Sequence, residues 1–274
     1  MAGIAFIGAG KMAEALIGGI TGAGVFVPED VVISDIDPAR VKLVSEKYGV
    51  RVAADNVSAA SDSECVIFAV KPQDMESALT DARAAQCPPG ALFVSIAAGA
   101  TISSIKAVLG GGGKVFRAMP NLPAVRGEGA SVVCGEGEDA DFETVEKIFS
   151  SVGMVEFVPE EMIDAFTALS GSGPGFVAVF TESLMSGAEK LGISPDVAEK
   201  FAVQTLFGAA KIMREGMSPK DLREMVSSPA GTTVAGLEEF EKSDFSSVVE
   251  NALAAARKRS KELARNGGAK GGKK

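Results

Sequence analysis

Over its first 160 residues the chain repeats one pattern, a short apolar run followed by a segment with helical periodicity. The runs "IAFIG", "VVIS", "CVIFAV", "ALFVSI" and "KVFRAM" are rich in β-branched and aromatic residues and have strand length. Between them lie "KMAEALIGGITGAG", "DPARVKLVSEKYG", "PQDMESALTDAR" and "TISSIKAVLG". In the second of these, Asp37 can cap the helix, Pro38 stands at its first position and Gly49 closes it. Strands that alternate with helices cannot be joined by hairpins. They imply parallel βαβ units and a doubly wound α/β sheet. Two further strands are expected at "ASVVCG" and "MVEFV".

From about Glu160 strand signals stop and helices dominate. The segment "SPDVAEKFAVQTLFGAAKIMREG" has Ser194 as cap, Pro195 at the first position and Gly216 beyond its end. "SPKDLREMV" opens with a capping-box pattern, Ser218 and Asp221. The last helical segment, "SSVVENALAAARKRSKELARN", becomes basic where the helix dipole favours cations. Residues 267–274 are expected to be a disordered tail. The division expected is therefore 1–160, an α/β domain, and 161–266, an all-helical one. Phe201, Ala202, Val203, Leu206, Phe207, Ala209, Ala210, Ile212 and Met213 make one helix apolar over most of its circumference. A helical domain of this size has few fully surrounded positions, so part of this surface is expected to be buried in a homodimer.

Composition narrows the chemistry. Hydrophobic residues make up 46% of the chain, enough for a sizeable core, and the formal net charge of −9 argues against a general nucleic-acid binder. Cys65, Cys87 and Cys134 are odd in number, widely spaced and without CxxC spacing. They read as buried small hydrophobes in a reducing cytoplasm. The N-terminus lacks the regions of a signal peptide, and no apolar run reaches the roughly 20 residues of a membrane span. The chain contains no histidine. That excludes Ser–His–Asp triads, His–Asp relays and His-ligated metal sites, and no metal is expected. Proton chemistry must run through Thr, Ser, Lys, Tyr, a carboxylate or water.

Gly8-x-Gly10-x-x-Ala13 follows the first strand and opens a helix, the context that gives this motif meaning as a dinucleotide site. Gly8 permits a tight turn, Gly10 lets the backbone approach a pyrophosphate, and Ala13 lets the helix pack close to the sheet. Asp35 lies 25 residues after Gly10, where an acid can bind the adenosine ribose hydroxyls of NADH and would repel the 2′-phosphate of NADPH. Ser34, Arg40 and Lys42 could still serve a phosphate, so both coenzymes stay open.

The stretches "FIGAGKMAEALIGG", "FAVKPQ", "VSIAAGATI", "RAMPNLPA", "LSGSGPGFV" and "MVSSPAGTTVAGLEEFE" occur in order, within a likeness that runs from Gly3 to about Leu263. Together they strongly resemble the pyrroline-5-carboxylate reductase family. The resemblance implies a Rossmann-like N-terminal domain, a C-terminal helical dimerisation domain, and dimers that often assemble into decamers. It implies reduction of 1-pyrroline-5-carboxylate to L-proline, the last step of proline synthesis, with NADPH or NADH. Carried over by motif, it places Gly8, Gly10, Lys11 and Met12 at the pyrophosphate and Asn56 on the adenosine side. Val70, Lys71 and Pro72 would line the cofactor groove. Ala97, Ala98 and Gly99 would lie beside the nicotinamide, and Met119, Pro120 and Asn121 would flank the same ring. Ser228, Gly231, Thr232 and Thr233 match the family's carboxylate-binding turn. Ala230 stands where many members have glycine, which raises the question of backbone strain.

A protonated cyclic imine is already electrophilic and its product amine keeps the proton. A site without histidine can therefore reduce it, whereas a ketone needs a proton donor. Thr233, within reach of the imine nitrogen, is the candidate catalytic residue; alternatively Thr232 or Thr233 is only a helix cap. In "LSGSGPGFVAVF" Pro174 is expected to kink the chain between two helices, with Thr167 and Ser170 either facing the substrate pocket or serving helix packing. A competing reading is a β-hydroxyacid dehydrogenase. Its usual catalytic lysine would fall in this stretch, and no lysine occurs there before Lys190.

Overall fold

The computed structural model describes residues 3–61, 63–111 and 113–268. They fall into two compact units, residues 3–172 with 256–268, and residues 173–255.

The first unit runs β1 (Ile4–Ile7), α1 (Lys11–Gly22), β2 (Val31–Ser34), α2 (Pro38–Tyr48), β3 (Arg51–Val52), α3 (Asn56–Ser61), β4 (Cys65–Phe68), α4 (Met75–Ala84), β5 (Leu92–Ser95), α5 (Ile102–Leu109), β6 (Lys114–Met119), β7 (Gly129–Gly135), α6 (Asp139–Ser150), β8 (Gly153–Phe157) and α7 (Ile163–Phe166). The strands form one sheet in the order β3-β2-β1-β4-β5-β6-β7-β8. All pairs are parallel except β6 with β7. The first six strands thus have the doubly wound order of a dinucleotide-binding sheet. No α-helix intervenes between β6 and β7, only the short 3-10 turn Leu122–Arg126, so they pair antiparallel. α6 then carries the chain back to β8 in parallel register.

Both faces of the sheet are covered, which is why its central strands read as unbroken apolar runs rather than alternating ones. Ile4, Phe6, Ile33, Ile67 and Val94 point to one side, against Leu16, Ile17 and Ile20 of α1 and Val145, Ile148 and Phe149 of α6. Ala5, Ile7, Val66, Phe68 and Phe93 point to the other, against Met75, Ala78 and Leu79 of α4 and Ile105 of α5. α2 is capped as its sequence indicates: Asp37 accepts the Ala39 N–H, Pro38 follows, and Gly49 ends the helix at φ 71°.

The division differs from the expected boundary at 160/161 at both ends. Ile163 is buried in the sheet's second core with Phe166 packed on it, so α7 belongs to the first unit. So does the later half of α12 (Phe245–Gly268), where Ser260, 6% exposed, donates to Asp164 at 2.6 Å. α12 runs through Gly268, so the first two residues of the expected tail are helical and the rest lie outside the described residues.

Between α7 and α8 (Gly173–Lys190), where a kink is expected, lies one π-helical turn, Thr167–Gly171. The Ser172 N–H reaches back five residues to the Thr167 carbonyl at 2.8 Å. Pro174 has no N–H to give the Ser170 carbonyl in α-helical register, and Asn121 Nδ2 donates to that oxygen at 2.9 Å. Taken together, the helical run Glu160–Lys190 is long and apolar enough by length and composition to cross a membrane, a length the sequence reading missed because Ser and Gly interrupt the apolar residues.

The second unit holds α8, α9 (Pro195–Arg214), α10 (Pro219–Met225), α11 (Thr232–Lys242) and the start of α12. Of the nine apolar residues singled out on α9, only Ala202 is buried, while Phe201 and Phe207 are 71% and 63% exposed. The Ser218 hydroxyl accepts the Asp221 N–H and donates to the Asp221 carboxylate. Ser194 occupies the cap position of α9 but its side chain makes no capping bond.

Candidate active site

Three loops lie side by side at the carboxyl ends of β1, β4 and β5. The ladder continues into them through Ala69 N–H to Ile7 O at 2.8 Å and Ile96 N–H to Phe68 O at 3.1 Å. β1 and β4 flank the point where the strand order reverses, the crevice in which open α/β sheets bind ligands.

The glycine loop fits a pyrophosphate. Gly8 has φ 99°, and a β-carbon there would lie 2.8 Å from the Ala69 carbonyl carbon and oxygen, so only glycine allows β1 to turn against the segment leading into Val70, Lys71 and Pro72. A β-carbon on Gly10 would meet nothing within 4 Å, so its backbone faces open space. Gly10 is also the N-cap of α1 with no side-chain cap, which leaves the first-turn N–H groups to a ligand. Ala13 is fully buried, Lys11 is exposed and Met12 half-buried.

The loop is held by residues of the β2–α2 turn. Asp35 accepts the Ala9 N–H at 2.6 Å, and Arg40 donates from Nε to the Ala9 carbonyl at 3.0 Å and from Nη2 to Glu14 at 2.7 Å. Lys47 also donates to Glu14, and the two cations hold the Glu14 carboxyl below its ordinary value. The Ser34 hydroxyl donates to Asn56 Oδ1, whose Nδ2 donates to Asp81 at 2.9 Å. Arg40 was visible in the sequence only as a candidate phosphate ligand; its role as a brace depends on a partner 26 residues away, Glu14.

The segment Ala97–Gly99 is pinned at both ends. Ala97 N–H donates to Ser95 Oγ at 3.2 Å. Beyond it, the Ile102 N–H that opens α5 donates to Glu160 Oε1, which also takes Arg117 Nη1 at 2.8 Å. Gly99 has φ 85°, and a β-carbon there would stand 3.1 Å from the Ala264 backbone of α12. Glu160 and Ala264 escape a motif search, because their partners are distant in sequence; Arg117 opens the stretch "RAMPNLPA", which does not reveal its ion pair with Glu160.

Met119 and Pro120 lead into Asn121, which is 8% exposed. Its Oδ1 accepts the Ala130 N–H and its Nδ2 holds the Ser170 carbonyl, so both ends of the amide are consumed by the fold. The Thr167 and Ser170 hydroxyls donate to the carbonyls of Ile163 and Phe166 within their own helical run.

In the second unit, Ser228 to Gly231 form a turn closed by the Gly231 N–H on the Ser228 carbonyl at 2.9 Å. Ala230 takes φ 56°, a left-handed conformation that costs a residue with a β-carbon and explains why glycine suits this position. A β-carbon on Gly231 would lie 2.8 Å from the Ser228 carbonyl oxygen and closer still to Ser228 Oγ. Gly231 is itself the N-cap of α11, so Thr232 and Thr233 stand inside the helix and neither hydroxyl is its cap. Among the described residues no acceptor faces the N–H groups of Thr232, Thr233 and Val234, nor does either threonine hydroxyl have a partner. Uncommitted N–H groups and hydroxyls at a helix start suit a carboxylate. The described residues contain no cluster able to hold a metal.

Comparison with known proteins gives the chain's relatives. Residues 160–263 match the family described as pyrroline-5-carboxylate reductase dimerisation, and residues 3–99 the family described as NADP oxidoreductase coenzyme F420-dependent. The chain is 40% identical over 264 residues to a pyrroline-5-carboxylate reductase of Methanosarcina acetivorans, covering 95% of this chain and 97% of that one. Among solved structures it is similar to a pyrroline-5-carboxylate reductase from Coxiella burnetii (TM-score 0.91, 32% identity, 96% of this chain and 98% of the other). It is also similar to the Plasmodium falciparum pyrroline carboxylate reductase with NADP bound (TM-score 0.84, 28% identity, 96% and 98%). The chain belongs to the pyrroline-5-carboxylate reductase family.

Proposed function

We propose that the chain reduces 1-pyrroline-5-carboxylate to L-proline with NAD(P)H, the last step of proline biosynthesis. The observation that carries this reading is the Ser228–Thr233 turn, an anion cradle built from backbone N–H groups and hydroxyls with no arginine, in a chain that also has a dinucleotide loop and no histidine. The nicotinamide, when bound, supplies the hydride. Gly8, Gly10, Lys11 and Met12 bind the pyrophosphate; Ser34, Asp35 and Asn56 serve the adenosine side. Val70, Lys71 and Pro72 wall the groove, Ala97–Gly99 and Met119–Asn121 the nicotinamide end. Ser228, Gly231, Thr232 and Thr233 hold the substrate carboxylate, which orients carbon 5 for attack. Thr233 Oγ1 also hydrogen-bonds the imine nitrogen or its proton. That proton stays on the product amine, so no side chain needs to deliver one. Thr167 and Ser170 belong to the substrate wall through the shape of the π-turn, since their hydroxyls bond within their own helix.

The exposed apolar surface of the second unit supports a homodimer through the segment 160–263; assembly of such dimers into a decamer is part of the proposal on the family resemblance alone. Three free cysteines, two of them buried, suit a cytoplasmic protein. The test is a coupled pair of measurements. Purified chain should oxidise reduced nicotinamide only when the pyrroline is added, and light scattering should give a multiple of the protomer mass. A monomer at micromolar concentration would contradict the assembly, and idle coenzyme would contradict the reaction.

A further inference from the structure

The turn joining β2 to α2, Ser34-Asp35-Ile36-Asp37-Pro38-Ala39-Arg40, stands at the adenosine end of the proposed cofactor groove, and its hydroxyl and its guanidinium both have partners within the protein. Arg40 is the turn's one cation. Its Nε is bound to the Ala9 carbonyl and its Nη2 to Glu14, a carboxylate it shares with Lys47, so the guanidinium faces the glycine loop. Lys42, 74% exposed, lies toward Glu46 one helical turn on. The Ser34 hydroxyl donates to Asn56, and Asn56 donates to Asp81.

The remaining charges at this end are negative. The Asp35 carboxylate cannot swing aside, because its Oδ2 takes the Ala9 N–H at 2.6 Å and its Oδ1 takes the Asp37 N–H at 2.8 Å. Each oxygen keeps a lone pair, enough to accept the two neighbouring hydroxyls of an unphosphorylated ribose. Asp37 caps α2 and Asp55 caps the start of α3, both in water. Ile36, 96% exposed between two aspartates, puts an apolar side chain rather than a cation at the tip of the turn.

We propose that this turn selects NADH over NADPH, with Asp35 as the discriminating residue and Arg40 as a brace of the glycine loop rather than a phosphate ligand. The selectivity comes from repulsion built against the phosphorylated coenzyme as much as from contacts to the other. The proposal rests on the reductase reading for the coenzyme site but not on the imine.

Calorimetric titration of the full chain with NADH and with NADPH, without pyrroline, tests it. At low salt NADPH should bind at least about tenfold more weakly, and the ratio should shrink as salt screens the aspartates. Ile36→Arg should tighten NADPH binding by at least about fivefold and narrow the ratio. Arg40→Ala should weaken both coenzymes by the same factor. Equal or tighter binding of NADPH by the unaltered chain overturns the proposal, as does an Arg40→Ala loss confined to NADPH. A chain that prefers NADH yet leaves the pyrroline untouched supports this inference while refuting the reaction. A chain that binds neither coenzyme refutes both.

Discussion

Two neighbouring residues in the carboxylate turn should respond to substitution in opposite directions. Gly231 has an ordinary φ of −80°, so its need for glycine is steric rather than conformational. A β-carbon there would sit 2.8 Å from the Ser228 carbonyl oxygen, several tenths of an ångström inside van der Waals contact. That oxygen is the acceptor that closes the turn, so Gly231→Ala must open it, at a cost of about 1 kcal/mol for the hydrogen bond alone. The displaced turn carries Thr232 and Thr233, and misplacing binding groups by about an ångström costs roughly a hundredfold. We expect kcat/KM for the pyrroline to fall about 30- to 100-fold. Ala230 has the opposite problem. At φ 56° its β-carbon costs about 1–2 kcal/mol, and Ala230→Gly removes that while adding about 0.4–1 kcal/mol of unfolded-chain entropy. The net gain of about 0.5–1 kcal/mol should appear as a higher urea midpoint at fixed protein concentration, with kcat/KM kept within about twofold. Steady-state kinetics and urea titration of both variants decide the matter. Unchanged kcat/KM in Gly231→Ala, or a lowered midpoint in Ala230→Gly, would show that the turn is not constrained in this way.

Thr233→Ala should lower kcat/KM for the pyrroline roughly ten- to a hundredfold, about 1–3 kcal/mol for a lost polar contact, and leave coenzyme affinity unchanged in a direct titration. Glu160→Ala should destabilise the first unit by about 3 kcal/mol, because it leaves the 8%-exposed Arg117 side chain without its partner and the Ile102 N–H without an acceptor; Glu160 is itself a third exposed, which holds the figure at the low end for a buried pair. Burial pushes the Cys134 thiol up to about 11, with Cys65 raised further by the same cause. The unfolded chain loses these protons first as pH rises past about 9, so these thiols should make stability fall between about pH 9 and 11, read as a dropping urea midpoint that Cys134→Ala makes shallower.

How much of this was legible depended on whether a feature's partners were local. α2 could be read to its ends because Asp37, Pro38 and Gly49 each act within a turn of their own position. The glycine loop was legible because Gly8, Gly10 and Ala13 answer to a backbone geometry that any such sheet imposes. β3 escaped because it is two exposed residues, Arg51 and Val52, held only by the ladder to β2. α6 carried its signal in Val145, Ile148 and Phe149, which share one helical face, yet it stands in an acidic stretch and passed unread. The π-turn could not be foreseen. Pro174 and the three glycines around it announce a break, but what keeps the helix going is a hydrogen bond from Asn121, 49 residues earlier. The homodimer expectation came from apolar residues covering α9, and the exposure of Phe201 and Phe207 in a single chain is the same fact seen from the structure. Asp35 was the most instructive case. Its place in the sequence suggested a ribose contact; the structure adds that both of its oxygens already brace backbone N–H groups, which fixes where its charge stands.

A chain without histidine should reduce a cyclic imine through orientation alone. Initial-rate measurement of NADH and NADPH oxidation with 1-pyrroline-5-carboxylate, run beside NAD(P)⁺ reduction with 3-hydroxyacids, tests it most directly. Rapid coenzyme oxidation with stoichiometric proline formed, and no turnover of the hydroxyacids, is the expected result. Turnover of a 3-hydroxyacid with none of the pyrroline would contradict it.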